Sequence, residues 1–421
     1  MPSFISNFMT YAAGCESPEN FDVWSALVSL ASIVGRRVWV NNGYFVYYPN
    51  LYVVFVAAPG GRKTTAMVMA QDLLVDYGKV PISCDAATKE AVVQEMAQDC
   101  ARTFIGPDGS PVTYSPLTLC LTELTHFLGT NTQNAEHMID FLTTIYDKVG
   151  VYKARTIGRG VNEVVAPYLN LIACTTNDAI SKYLKSSVLT GGICRRAMFV
   201  KQTERSKPIA WPKITKEAQA ARNACLAYAE TLENLVGEFI PEPGFIDWYT
   251  PWYDALHAEV GKETNFIRQG YLSSKHIMAF KLAMLLTLSE KPELILRVDA
   301  FKAAVALLES RVEKEMLAVF EGTGRNELNA LSNRLLIMIR GSGGKLRQKT
   351  AEMELWRDAT TPELLQLIQH LVKVGQVIQV DQKNAKTGEV IARWLYLPET
   401  YQTELGDSTP SAGPAAGTPP P

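Results

Sequence analysis

The stretch YVVFVAAPGGRKTTAM, residues 52–67, has the arrangement of a phosphate-binding loop: an apolar run, a glycine turn and a helix that opens with Lys-Thr. In such a loop, backbone N–H groups and the helix N-terminus hold an anion, the lysine contacts the terminal phosphates and the adjacent hydroxyl binds Mg²⁺. The spacing predicts ATP and Mg²⁺ here, with Thr64 as a metal ligand. The candidate nucleotide-binding residues are Pro59, Gly60, Gly61, Arg62, Lys63, Thr64 and Thr65.

The loop departs from the consensus G-x-x-x-x-G-K-[ST] at both glycines. Ala57 takes the first glycine position and Arg62 takes the second. A residue other than glycine can hold the last loop position when its backbone angles permit. A glycine-rich turn before an ordinary helix would show the same letters, so the loop alone leaves both interpretations open.

A second candidate lies at the end of the apolar run LTLCLTEL, residues 117–124. Glu123 stands where an acid that orients the attacking water is expected, and it would also contact Mg²⁺ through a water. Thr122 occupies the position that usually carries the metal-binding Asp. A solvated glutamate at a strand end is the alternative interpretation.

Two further polar positions adjoin apolar runs. The run LNLIACTTND ends in Asn177, a candidate sensor of the γ-phosphate, although Asn-Asp is also a common turn pair. The stretch TGGICRRAMFV places Arg196 directly before an apolar run, with Arg195 in reserve. An arginine at a subunit boundary can contact a neighbour's γ-phosphate, and a surface ion pair is the alternative.

The segment VYKARTIGRGVNEVV, residues 151–165, predicts a basic β-hairpin with a Gly-Arg-Gly turn. Lys153, Arg155 and Arg159 would project from it and are the candidate DNA-binding residues, because a basic hairpin can follow a nucleic-acid backbone. A solvated hairpin without a ligand is the alternative.

These candidates require a sheet that brings several strand ends together. Short, nearly all-apolar runs joined by helical patterns predict parallel strands covered on both faces, and hence an α/β core. The runs are residues 51–57, 80–84, 117–121, 169–174 and 197–200. The predicted organisation is an N-terminal helix and hairpin extension over 1–50, the core over 51–212, a helical domain over 213–328, a winged-helix domain over 329–399 and a disordered tail over 400–421.

Local signals also predict the elements on either side of the core. Ser17-Pro18-Glu19 predicts a helix start with Ser as N-cap, and Asn42-Gly43 predicts a type I′ hairpin. Thr360 and Glu363 form a predicted capping box. Two strands joined across 384–388 complete a winged-helix outline, a fold that binds DNA or serves as a protein contact.

The composition is that of an ordinary globular chain: 421 residues, 47% apolar and 20% charged. The net charge of −2 means that any nucleic-acid affinity must come from a local basic surface. Seven scattered cysteines without C-x-x-C predict buried thiols of a reducing compartment. Without a basic leader or a long apolar run, we expect a cytoplasmic protein with no membrane partner.

Taken together, the segments resemble the P-loop helicase/primase-type ATPases that bacteriophages, prophages and plasmids encode for DNA replication. The resemblance covers about residues 15–205, and the part before the loop includes GRR and YPNLY. In this family Arg-Lys in place of Gly-Lys is a usual form of the site. The resemblance implies a RecA/AAA+-like core and DNA helicase activity. It also implies these roles: phosphate and Mg²⁺ contacts for Lys63 and Thr64, hydrolytic acid for Glu123, sensor for Asn177 and finger for Arg196.

The resemblance further implies a homo-oligomeric ring, hexameric in form, that acts on single-stranded or forked DNA. Because the chain leaves no room for a primase module, a separate primase or another replisome protein is an expected partner. Two alternatives stay open: a helicase loader or remodelling ATPase, and a nucleotide-switched DNA-binding replication protein that does not hydrolyse ATP. Thr122 keeps the second alternative open.

Overall fold

The chain forms two compact units, Met1–Thr323 and Gly324–Pro421, which are described separately. Both mix helices and sheets, so the α/β class predicted for the fold is confirmed at that level. The computed structural model describes residues 2–83, 88–129, 132–156, 160–183, 192–203, 208–320, 325–356 and 359–406.

The first unit contains strands β1 to β12 and helices α1 to α12. Its strands are β1 (Val38–Asn42), β2 (Phe45–Tyr47), β3 (Tyr52–Val56), β4 (Arg102–Ile105), β5 (Pro111–Leu121), β6 (Tyr152–Thr156), β7 (Gly160–Val164), β8 (Pro167–Thr175), β9 (Ala197–Lys201), β10 (Gly237–Glu238), β11 (Ile240–Pro241) and β12 (Ile295–Leu296). Its helices are α1 (Phe4–Ala12), α2 (Glu19–Val34), α3 (Lys63–Tyr77), α4 (Lys89–Gln98), α5 (Leu124–Leu128), α6 (Thr132–Tyr146), α7 (Asn177–Tyr183), α8 (Lys216–Leu232), α9 (Phe245–Val260), α10 (Phe266–Glu290), α11 (Val298–Leu308) and α12 (Lys314–Phe320).

Five strands form the central sheet in the order β4-β5-β8-β3-β9. The last four are mutually parallel, and β4 pairs antiparallel with β5 at the edge. Four of the five predicted strands are therefore confirmed. The predicted strand over 80–84 is reduced in the described residues to one parallel bridge between Ile82 and Thr118.

Both faces of this sheet are covered, as the apolar runs predict. Tyr52 and Phe55 lie three residues apart on β3, so their side chains point to opposite faces. Phe55 stacks on Phe21 of α2 at 4.4 Å between ring centroids, and Tyr52 meets Tyr146 of α6 at 4.7 Å. Helices α2 and α6 therefore cover the two faces of β3, where its side chains are buried.

The GRR segment that precedes β1 has a structural role. Arg36 is buried and donates hydrogen bonds to the carbonyl oxygens of Lys148 at 3.1 Å, Val149 at 2.7 Å and Pro167 at 2.9 Å. Its guanidinium also lies 4.0 Å from the centre of the Tyr48 ring. These contacts fix the chain between α6 and β6 and the first residue of β8.

Two local predictions near the N-terminus need a small correction. The hairpin of β1 and β2 is confirmed, but Asn42 pairs with Phe45, so Gly43 and Tyr44 form the turn instead of Asn42-Gly43. Helix α2 begins at Glu19 with Pro18 as the N-cap residue. The Ser17 hydroxyl donates instead to a carboxylate of the first helical turn, so it does not cap the backbone.

A lysine is buried behind the sheet without a carboxylate contact among the described residues. Lys281 of α10 is 3% exposed, and its Nζ donates to Oδ1 of Asn50 at 2.6 Å. The ammonium also lies 4.1 Å from the centre of the Tyr146 ring. Burial lowers the pKa of Lys281 from its ordinary 10.5 to about 7.

This buried lysine gives the stability of the first unit a pH dependence. Asp147 nearby raises the pKa of Lys281, whereas Arg36 and Arg196 lower it, and the net shift is downward. From pH 7 to pH 9 the unfolded chain binds the proton that folded Lys281 releases, so the free energy of unfolding rises by up to about 1.4 kcal/mol per pH unit. Urea titrations should show this rise in the wild type and in the exposed control Lys216→Met, and lose it in Lys281→Met. An equal slope in all three would contradict the prediction.

The second unit is a small helical domain with a three-stranded sheet. Its sheet has the antiparallel order β13-β15-β14, and a buried core that includes Leu335 and Leu364 joins helices and sheet. The capping box of Thr360 and Glu363 is confirmed. The elements are α13 (Arg325–Gly341), β13 (Lys345–Arg347), α14 (Gln348–Leu355), α15 (Thr361–Lys373), β14 (Ile378–Lys383), β15 (Val390–Tyr396) and α16 (Pro398–Gly406).

Helix α16 corrects the prediction that residues from 400 onward are disordered. Pro398 is its first residue, and Tyr401 packs edge-on against Tyr396 of β15 at 5.3 Å. The low-complexity run begins only at Gly406, so the predicted boundary at residue 400 lies too early. Residues 407–421 of the predicted tail lie outside the described residues.

Two composition-based expectations can be compared with the described part of the chain. No helix in it combines the length and the apolar character that crossing a membrane requires. Five of its six cysteines are buried, Cys15 is half-buried, and none is in a disulfide. Cys84 lies outside the described residues.

Candidate functional site

The loop between β3 and α3 is a tight turn built around its glycines. Gly61 donates its N–H to the carbonyl oxygen of Ala58 at 3.0 Å, and Gly60 has a φ of 79°. A Cβ on Gly61 would lie 2.8 Å from the Cβ of Ala57 and 3.0 Å from the Ala58 oxygen, so only glycine fits there.

Arg62, at the second consensus glycine position, takes a left-handed backbone conformation. Its φ is 55° and its ψ is 23°, in the left-handed region, and it forms the N-cap of α3. An arginine therefore holds a backbone conformation at this position that glycine adopts more readily.

Lys63 bends back over the loop. Its Nζ donates to the carbonyl oxygens of Ala57 at 2.8 Å and Ala58 at 3.1 Å. Burial lowers the pKa of Lys63, while the nearby side chains of Cys174 and Glu123 raise it. The ammonium thus lies at the mouth of the turn, within electrostatic range of the candidate acid.

Thr64 lies in the first turn of α3 and is exposed. Burial raises the pKa of the Cys174 thiol to about 12, while the nearby side chains of Lys63 and Thr64 lower it. Cys174 is the penultimate residue of β8 and pairs with Phe55 of β3. The first helical turn after the loop therefore lies beside the carboxyl end of the neighbouring strand.

Glu123 follows β5 and caps the short helix α5. Its Oε1 accepts hydrogen bonds from the hydroxyls of Thr125 at 2.9 Å and Thr175 at 3.1 Å. No described residue donates to its Oε2. The carboxylate is thus oriented through one oxygen and leaves the other for a ligand, while Thr122 beside it is exposed.

Thr175 is the site residue that sequence reasoning missed. It ends β8, is fully buried and joins β8 to Glu123. The predicted sensor Asn177, two residues later, instead donates from Nδ2 to the carbonyl oxygens of Ala318 at 3.1 Å and Val319 at 3.4 Å on α12. Thr175 was visible in the sequence as the first polar residue after the apolar run.

Arg196 and the loop lie at opposite ends of the parallel strands. Strands β3 and β9 are parallel and in register, with Tyr52 opposite Ala197, so Arg196 precedes β9 at its amino end while the loop follows β3 at its carboxyl end. The five residues of β3 separate these two ends, a distance of roughly 16 Å at about 3.3 Å per residue. Arg196 therefore cannot contact a nucleotide in the loop of its own chain.

The Arg196 side chain is held by contacts within its own chain. Its Nε and Nη2 lie 2.7 Å and 2.6 Å from Oδ2 of Asp147, and its Nη1 donates to the carbonyl oxygen of Gly192 at 3.2 Å. The Arg196 side chain is 19% exposed and the Asp147 side chain is 50% exposed. Arg195 is exposed and packs against Gly270 of α10.

The predicted hairpin over 151–165 is confirmed as β6 and β7, an antiparallel pair that leads into the amino end of β8. Lys153 forms an ion pair with Glu163 across the two strands at 2.6 Å. Arg155 is exposed, and Arg159 lies outside the described residues. The hairpin and Arg196 therefore both lie at the amino ends of the parallel strands.

The donor set suits a magnesium ion that arrives with a nucleotide. Mg²⁺ takes one or two protein oxygens and completes its shell with phosphates and water. The Thr64 hydroxyl and the Glu123 carboxylate are oxygen donors of this kind. In the described ranges no three His, Cys, Asp or Glu residues form a group that could bind a metal by itself.

Comparisons with known proteins leave the site to be interpreted from its geometry. No protein-family model matches the chain, and no curated protein matches it.

Proposed function

We propose that this protein is an ATP-hydrolysing motor of phage or plasmid DNA replication that acts as a DNA helicase. The observation that carries the proposal is the convergence of Lys63, Thr64, Glu123 and Thr175 at the carboxyl ends of three adjacent parallel strands. In open α/β sheets, ligands bind in the crevice outside these strand ends. We assign a RecA/AAA+-like P-loop core to this sheet and a winged helix to the second unit.

The residues at the strand ends would each have a separate role in ATP hydrolysis. The triphosphate replaces the carbonyls of Ala57 and Ala58 as the partner of the Lys63 ammonium, whose charge then stabilises the terminal phosphates. Glu123 orients the attacking water through Oε2 and accepts its proton, while Thr125 and Thr175 hold Oε1. Mg²⁺ bound with the nucleotide supplies further charge stabilisation to the phosphates.

The position of Arg196 supports assembly into a ring, which we propose to be hexameric. Arg196 is too far from the loop of its own chain. Its role as a finger therefore requires a second copy whose loop faces the amino ends of these strands. A head-to-tail contact of identical subunits closes into a ring when the rotation permits. Each site would then combine Lys63 and Glu123 of one subunit with Arg196 of the next.

Single-stranded or forked DNA is the proposed substrate of the motor. Lys153, Arg155 and Arg159 on the hairpin would contact the phosphate backbone, which gives affinity without sequence preference. In the second unit, Lys345 and Arg347 on β13 supply further positive charge for backbone contacts. A separate primase or another replisome protein remains the proposed partner.

Replacing Lys63 with alanine tests the proposed function. We expect the wild type to hydrolyse ATP, faster with single-stranded DNA, and Lys63→Ala to lose nucleotide binding and hydrolysis because the phosphates lose their cation. Phosphate release and titration with a fluorescent ATP analogue measure the two effects. The exposed control Lys262→Ala should match the wild type.

The outcomes separate the candidate functions. Strand displacement by the wild type supports a helicase, whereas DNA-stimulated hydrolysis without displacement supports a loader or remodelling ATPase. ATP binding that depends on Lys63 without any hydrolysis leaves the nucleotide-switched DNA-binding protein. Absence of nucleotide binding contradicts all three.

A further inference from the structure

Arg62 of the loop forms an ion pair with a residue that also has unusual backbone angles. Three non-glycine residues in the described chain have a positive φ: Glu16 at 62°, Arg62 at 55° and Ala166 at 41°. Two of the three contact each other, because Nη2 of Arg62 lies 2.5 Å from Oε2 of Glu16. Such angles are unfavourable for non-glycine residues and persist where the surroundings hold them. The ion pair is therefore part of what holds this turn.

Glu16 is the ordered partner of this pair. Its side chain is 13% exposed, against 53% for Arg62. Its second oxygen, Oε1, accepts the N–H of Ile209 at 2.5 Å. The carboxylate thus joins the connection between α1 and α2, the phosphate loop and the chain after β9.

Glycine at position 62 would adopt the left-handed conformation without a partner, whereas arginine would not. A relaxed Arg62 would turn the N–H groups at the start of α3 away from a bound phosphate. An unpaired Arg62 guanidinium could also fold over the mouth of the loop and compete with Lys63 for the anion. Both effects would weaken nucleotide binding.

We propose that Glu16 is a positioning residue of the phosphate loop. Its carboxylate holds Arg62 in the left-handed conformation and keeps the guanidinium away from the anion site, so that it replaces the conformational freedom of the missing glycine. This inference rests on the proposed nucleotide binding at Lys63. It adds a residue that lies 46 positions before Arg62 in the sequence and outside the loop motif.

The test is a double-mutant cycle of Glu16→Gln and Arg62→Gly, with affinity measured by titration of N-methylanthraniloyl-ATP. In the wild-type background, Glu16→Gln should weaken the affinity by about tenfold, because it releases Arg62. In the Arg62→Gly background, the same change should alter the affinity by less than about twofold, because glycine needs no partner. The exposed control Glu19→Gln should bind as the wild type does.

A merely structural role of Glu16, through its hydrogen bond to Ile209, predicts a different pattern. Glu16→Gln would then weaken binding and lower the melting temperature equally in both backgrounds, and this result would overturn the inference. Wild-type protein that binds no N-methylanthraniloyl-ATP, with Lys63→Ala unchanged from it, would overturn the proposed function and the inference together. Binding with equal losses overturns the inference alone.

Discussion

Glu123→Gln is expected to lower the rate of ATP hydrolysis by about 10²–10⁴-fold while ATP still binds. The glutamine oxygen can still accept the hydrogen bonds that Thr125 and Thr175 donate at 2.9 Å and 3.1 Å, so the strand ends keep their arrangement. The amide, however, cannot accept a proton from the attacking water. Single-turnover phosphate release measures the loss, and titration with the fluorescent ATP analogue measures the retained binding.

Glu136→Gln is the matched control, because Glu136 is an exposed carboxylate on α6. It should hydrolyse ATP at the wild-type rate. An unchanged rate in Glu123→Gln would show that another group activates the water. A loss of nucleotide binding would show instead that Glu123 holds the loop region together and has no separate chemical role.

The sheet was predictable because a parallel strand covered on both faces leaves a clear pattern. The apolar runs give β3, β8 and β9 to within two residues. Strand β5 is longer than its apolar run, since Pro111–Leu121 begins with exposed residues that pair only with β4. An edge pairing of this kind has no apolar signal, and the predicted boundary therefore fell at residue 117.

The site was predictable where its residues follow strands directly and unpredictable where contacts cross the chain. Lys63, Thr64 and Glu123 each stand just after an apolar run. The ion pair between Arg62 and Glu16 joins the loop to a distant segment, and no local pattern marks Glu16. Asn177 was the predicted sensor, yet the structure turns its side-chain amide towards α12.

Two residues in the segments that resemble the ATPase family have a structural role instead of a chemical one. Arg36 appears in the sequence as a basic residue beside a strand, but its hydrogen bonds to three carbonyl oxygens build the chain that leads to the hairpin. Ala57 appears as a lost glycine, but it packs against Gly61. In both cases the residue type reflects a close contact that only the folded chain reveals.

The position of Arg196 makes a specific prediction about mixed assemblies. Arg196→Ala alone should hydrolyse ATP about 10³-fold more slowly or worse, because the γ-phosphate loses the neighbour's guanidinium. The ion pair with Asp147 is partly exposed and contributes about 0–1 kcal/mol, so a phosphate can replace Asp147 as the partner. Arg102→Ala, which removes an exposed arginine on β4 at the other side of the sheet, is the control and should keep the wild-type rate.

Mixing Arg196→Ala with Glu123→Gln then decides whether the arginine acts between subunits. Wherever a Glu123→Gln subunit presents its intact Arg196 to the intact Glu123 of an Arg196→Ala subunit, a complete site forms. An equal mixture in randomly assembled rings should therefore recover about a quarter of the wild-type sites, although neither variant is active alone. No recovery in rings that size-exclusion chromatography shows to be mixed would contradict a shared site. Since Arg196 lies roughly 16 Å from its own loop, such a result would remove Arg196 from the chemistry altogether.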